Sequence, residues 1–144
     1  MVEQDTIKLL RECDAGVKMG ISSIGDVISY VSSHDLKRVL QDSSKEHDGL
    51  KSDLQGLLGE YHDEGKEPAA MAKGMSWVKT NVKLKMNESD STVADLITDG
   101  CNMGIKSLSR YLNKYQAADE RSKDLAKRII SAEEKLGTDV RAYL

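Results

Sequence analysis

The sequence predicts an all-α protein, and three observations carry that prediction. Apolar residues recur every three or four positions over most of the chain, charged residues are frequent, and proline is nearly absent. Of 144 residues, 39% are hydrophobic and 31% charged, with a single proline. That much charge with so few helix breakers favours long helices with one wet face over a sheet sandwich. Phe is absent and aromatics reach only 4%, so the core must be built from Leu, Ile, Val and Met. The length suits one domain.

The first predicted helix covers about 3–31, with Ile7, Leu10, Val17, Ile21, Ile24, Ile28 and Val31 on one face and Asp14 in the gap between Leu10 and Val17. Such a helix spans roughly 43 Å at 1.5 Å per residue. Ser32, Ser33, His34 and Asp35 form a polar break in which Ser33 or Asp35 can cap the next helix. The second helix, about 35–61, carries Leu36, Leu40, His47, Leu50, Leu54, Leu57 and Tyr61. Pro68 then suits a first helical position, where a missing N–H is no loss. A third, amphipathic segment at about 69–86 aligns Met71, Met75, Val78, Val82 and Met86 in a narrow stripe.

Asp90 or Ser91 can cap a helix at about 91–115, with Ala94, Ile97, Cys101, Ile105, Leu108, Leu112 and Tyr115 on its apolar face. The final helix, about 119–143, aligns Leu125, Ile129, Ala132, Leu136, Val140 and Tyr143. Only Gln116-Ala117-Ala118-Asp119 separates the last two, without Gly or Pro. A single helix over 91–143 in a coiled-coil dimer is therefore the alternative. Two considerations favour separate helices. Fifty-residue helices are rare in compact domains, and the two halves of the chain resemble each other. Cys13-Asp14-Ala15-Gly16-Val17-Lys18 aligns with Cys101-Asn102-Met103-Gly104-Ile105-Lys106, as expected for a duplicated hairpin.

Two helical hairpins joined by a long crossover make an up-down-down-up four-helix bundle, with the amphipathic segment lying in the crossover. In this the chain resembles the ferritin-like superfamily over nearly its whole length. The segments Leu10-Arg11-Glu12-Cys13-Asp14-Ala15-Gly16 and Met71-Ala72-Lys73-Gly74-Met75-Ser76-Trp77 look like those of small uncharacterised bacterial ferritin-like proteins. The resemblance implies a test, because the family's di-iron site takes one Glu from each of two helices and a Glu-x-x-His pair from each of the others.

No Glu-x-x-His occurs here, since the residues three before His34, His47 and His62 are Val31, Ser44 and Gly59. The second helix offers Ser44-x-x-His47, the His without its Glu. The last offers Glu133-x-x-Leu136, the Glu without its His. Asp14 and Asp95 or Asp99 are the carboxylates left to the other two helices. Asp14, His47, Asp99 and Glu133 are thus the metal candidates, and an oxidase centre is not expected from them. His47 reads as a core histidine bonded to a neighbour, and Asp14 as a carboxylate paired with Lys or Ser or turned to water. Neither an enzyme nor a cofactor is expected, as no Gly-rich phosphate loop, nucleophilic triad or catalytic acid pair occurs.

Gly16-x-x-x-Gly20 and Gly100-x-x-x-Gly104 sit inside helices, where each Gly costs about 1 kcal/mol against Ala. By analogy with membrane helices they predict a close approach of the first and third bundle helices. Lys73, Lys79, Lys83 and Lys85 flank the crossover stripe. With Met71, Met75 and Trp77 they form a possible surface for a membrane, a partner protein or a second copy of the chain. A formal charge of −3 from 21 basic and 24 acidic residues argues against a cationic nucleic-acid module. Cys13 and Cys101 form no zinc or disulfide pattern, which fits a reducing compartment. The early charges Glu3, Asp5 and Lys8 predict no export signal, and no apolar run reaches the roughly 20 residues of a membrane span. The expectation is a cytoplasmic, non-catalytic bundle acting through homodimer assembly or partner binding. The alternatives are a metal-binding relative with a degraded site and a small-molecule-binding bundle with a cavity near His47.

Overall fold

The computed structural model describes residues 2–68 and 89–144. Every regular element among them is helical: α1 (Val2–Val27), α2 (His34–Glu60), α3 (Asp90–Lys114) and α4 (Glu120–Val140). Short 3₁₀ turns, Ile28–Tyr30 and Arg141–Tyr143, extend α1 and α4. The amphipathic segment expected at 69–86, with Met71, Lys73, Met75, Trp77, Lys79, Lys83 and Lys85, lies outside the described residues. Among the described residues no helix is long and apolar enough to cross a membrane.

Side-chain oxygens that accept the first free N–H groups fix three of the helix starts. Ser33 Oγ takes the Leu36 N–H at 3.2 Å, Ser89 Oγ takes that of Thr92 at 3.1 Å, and Asp119 Oδ1 takes that of Ser122 at 2.8 Å. The α3 cap is therefore Ser89, where Asp90 or Ser91 was expected. Asp90 is engaged elsewhere, accepting the N–H groups of Ser32 and Ser33 at 2.8 and 3.1 Å.

The continuous-helix alternative for 91–143 does not hold, because α3 ends at Lys114 and α4 starts at Glu120. Tertiary ties make this break without Gly or Pro. Ala118 is buried in the core, and the Asp119 N–H donates to Thr6 Oγ1 at 2.8 Å. Ala117 N–H reaches Asp5 Oδ2 at 3.1 Å.

The same bonds set the helix directions. The start of α1 is tied to the α3–α4 turn and its end to the start of α3, so α1 and α3 run antiparallel. Arg121–Glu60, Arg128–Asp53 and His47–Glu133 contacts step along α2 and α4 in opposite senses, so these two are antiparallel as well.

The core is two apolar clusters with a polar layer between them. Leu9, Leu10, Cys13, Val17, Leu50, Leu54, Leu58, Leu125 and Ile129 anchor one cluster. Ile24, Val27, Leu36, Leu40, Val93, Leu96, Ile97, Leu136 and Val140 anchor the other. On α2 the buried stripe runs Leu36, Leu40, Ser43, His47, Leu50, Leu54, Leu58, at the three-four spacing of one helix face. The expected Leu57 packs only partly, and its neighbour Leu58 holds the core position.

Candidate functional site

The polar layer is built on His47 and Glu133. His47 follows from the α2 stripe, which places it in the core at the level where one cluster gives way to the other. Its ring is fully buried. Nδ1–H donates to the Ser43 carbonyl, one turn earlier, at 2.8 Å. That bond leaves Nε2 to face Glu133 Oε1 across the bundle at 2.7 Å. Burial pulls the imidazole's pKa down, but the bond and charge of Glu133, with the Ser43 carbonyl, outweigh it and leave it above its ordinary value. The pair is thus a charge-assisted hydrogen bond set within the core.

Cys101 on α3 completes the layer. Its thiol hydrogen-bonds Glu133, and burial first, then the Glu133 carboxylate, push its pKa well above the usual thiol range. Cys13 lies in the other half of the core among leucines, and burial raises its thiol to about 12. Both cysteines are free and buried, and they belong to different clusters.

The glycines make room for this layer. A Cβ on Gly20 would lie 2.9 Å from His47 Cδ2 and 3.1 Å from Nε2, so only glycine lets the ring seat there unshifted. At Gly104 the nearest neighbour of a Cβ would be Glu133 of α4 at 3.7 Å. A Cβ on Gly16 or Gly100 would meet nothing within 4 Å. The expected close backbone approach of α1 and α3 at all four positions is therefore replaced by a different geometry. Gly20 admits a side chain of α2, Gly104 faces α4, and Gly16 and Gly100 border open space. That space is a hollow of about 50 Å³ between α1 and α3, lined by Gly16, Met19, Gly20, Gly100, Cys101, Met103 and Glu133 among others. It holds little more than a few waters or one small group.

Of the four metal candidates, only His47 and Glu133 come together. Asp14 sits fully buried one level away, where its Oδ2 takes Lys18 Nζ at 2.7 Å and the Lys66 N–H at 3.1 Å. Its other oxygen, Oδ1, is buried without a hydrogen-bond partner among the described residues. Asp99 is exposed on α3. No three His, Cys, Asp or Glu side chains among the described residues form a metal-holding group.

A second tied region lies where the chain leaves α2. Asp63 pairs with Arg11, whose hydrogen bond holds its carboxyl below the usual range, and accepts the Gly65 N–H at 3.0 Å. Gly65 has φ +93°, and a Cβ there would collide with the Asp14 carboxylate. Lys18 bridges Asp14 and Glu67. Asp63, just past the end of α2, thus clamps the chain onto α1.

Sequence reasoning missed the Cys101–Glu133 contact and the position of Met19 and Met103 at the hollow. One signal was available: both methionines lie off the apolar stripes of their helices and within three residues of Gly20 and Gly100. Compared with protein-family models, curated proteins and solved structures, the chain matches none.

Proposed function

We propose that this protein is a non-catalytic helical bundle of ferritin-like, up-down-down-up architecture that acts by assembly or partner binding. The single observation that supports this most is the closed His47–Glu133 pair. Ser44-x-x-His47 and Glu133-x-x-Leu136 are each half of the Glu-x-x-His pair that a di-iron protein of this architecture carries. Here the two ligand-type side chains bond directly to each other at 2.7 Å, and Asp14 is held by Lys18 and the Lys66 backbone. With its polar groups committed to one another, the layer serves as a structural joint.

The antiparallel courses of α1 with α3 and of α2 with α4 support the ferritin-like reading. The exposed apolar side chain of Tyr30 is a candidate contact for a homodimer. Free, buried thiols support a reducing compartment such as the cytoplasm.

The test is purification from iron-supplemented cells, followed by metal analysis, a ferroxidase assay and light scattering. Background iron, no oxidation above buffer and a dimer mass are expected. Two irons per chain with ferroxidase turnover would overturn the non-catalytic reading, and a strict monomer would overturn the homodimer.

A further inference from the structure

We infer that the hollow between α1 and α3 is a binding site for a single copper(I) ion, held by the Cys101 thiolate and the thioethers of Met19 and Met103. This goes beyond a purely structural bundle and takes no metal ligand from the carboxylate positions of a di-iron centre.

The first support is the lining. Met19 and Met103 are both of the methionines among the described residues, and both border this one hollow together with Cys101. Thioether and thiolate sulfurs are soft donors, which select copper(I) over the hard divalent ions that prefer oxygen. Space is the second. Gly16 and Gly100 carry no side chain into the hollow, and a Cβ on either would touch nothing within 4 Å. Met103 is 45% exposed, so a donor at the rim reaches the solvent from which the ion arrives. Cys13 is the internal contrast: it is packed among leucines of the other cluster, with neither described methionine bordering it.

The third support is charge. Copper(I) binding forms an S–Cu bond and breaks the Cys101 S–H bond. The proton passes to solvent by way of Glu133, the carboxylate that the thiol already contacts. One unit of positive charge replaces another, no electron is transferred, and the buried layer keeps its net charge. A divalent ion would leave an extra positive charge beside His47, at the cost that buried unpaired charge carries.

The experiment is an anaerobic competition of the full chain against bicinchoninate-bound copper(I), read by loss of the chelator's colour. Sulfur-to-copper absorption in the near ultraviolet and proton release are recorded alongside. One copper(I) per chain and about one proton released are expected for the wild type and for Cys13→Ser. Cys101→Ser should abolish this site, with the far-UV helix signal retained. Met103→Leu keeps side-chain bulk at a partly exposed position and should weaken affinity about tenfold or more. Failure to withdraw copper from the chelator would overturn the assignment. So would binding untouched by both Cys101→Ser and Met103→Leu, or equal competition by zinc(II).

Discussion

Replacing Gly20 by alanine should destabilise the bundle even though alanine is the better helix former. The propensity change alone favours alanine by about 1 kcal/mol. Against it stands the seat of the His47 ring, whose Cδ2 and Nε2 would lie 2.9 and 3.1 Å from the new Cβ, with Glu133 Oε1 at 3.4 Å. The ring is fully buried and tethered through Nδ1 to the Ser43 carbonyl. It can retreat only by lengthening its 2.7 Å bond to Glu133. Overpacking costs about 1–3 kcal/mol, and weakening a charged hydrogen bond adds part of its roughly 1.5–3 kcal/mol. The net expectation is a loss of about 1–2 kcal/mol, or roughly 3–8 °C in Tm for a chain of this size.

Gly16→Ala and Gly100→Ala provide the contrast. Their Cβ atoms enter open space, so each should gain about 0.5–1 kcal/mol. The assay is thermal and urea denaturation of the three variants beside the wild type, followed by circular dichroism. If Gly20→Ala raises the midpoint as much as the other two, the ring is not pinned and the packing argument fails.

Further outcomes follow from the same contacts. His47 has a folded pKa above its ordinary 6.5, so the stability it contributes is complete below about pH 6.5 and is lost as pH rises through the higher folded value. In Glu133→Gln that decline in urea midpoint should flatten, and an unchanged slope would remove His47 as its source. Gly65→Ala should cost about 2–4 kcal/mol, since positive φ and a collision with Asp14 act together; a loss under 0.5 kcal/mol in denaturation would show that the turn relaxes freely. With burial lifting the thiol pKa of Cys13 to about 12 and raising that of Cys101 as well, neither should react promptly with Ellman's reagent at pH 8 until urea is added. Fast reaction of either cysteine in the native protein would contradict its placement.

Much of the fold was legible because the core is written in helical periodicity. Leu36, Leu40, His47, Leu50 and Leu54 fall on one face of α2, and Ile97, Cys101 and Leu108 on one face of α3. The break between α3 and α4 was harder to read, since a buried alanine and a distant Thr6 make it, and neither leaves a local turn signal. His47 was legible as a bonded core histidine, yet its partner was not. Glu133 is 86 residues away in sequence, and only the antiparallel course of α2 and α4 brings the two level. The glycines were readable as positions where space matters. Whether a backbone, a ring or a hollow uses that space depends on the neighbouring helices, which periodicity does not specify.

The polar layer between the two apolar clusters has a consequence for how the helices find their alignment. Leu, Ile and Val are nearly interchangeable as packing units, so an all-aliphatic bundle could slide by a helical turn, about 5.4 Å, and still bury its stripes. His47 and Glu133 meet in one register only. A one-turn slip would leave both buried without a partner, at a cost of about 3–5 kcal/mol. Gly20 narrows the choice further, since the ring clears α1 only where a glycine faces it. The layer therefore acts as a key, favouring one alignment among those that would bury the aliphatic stripes equally well.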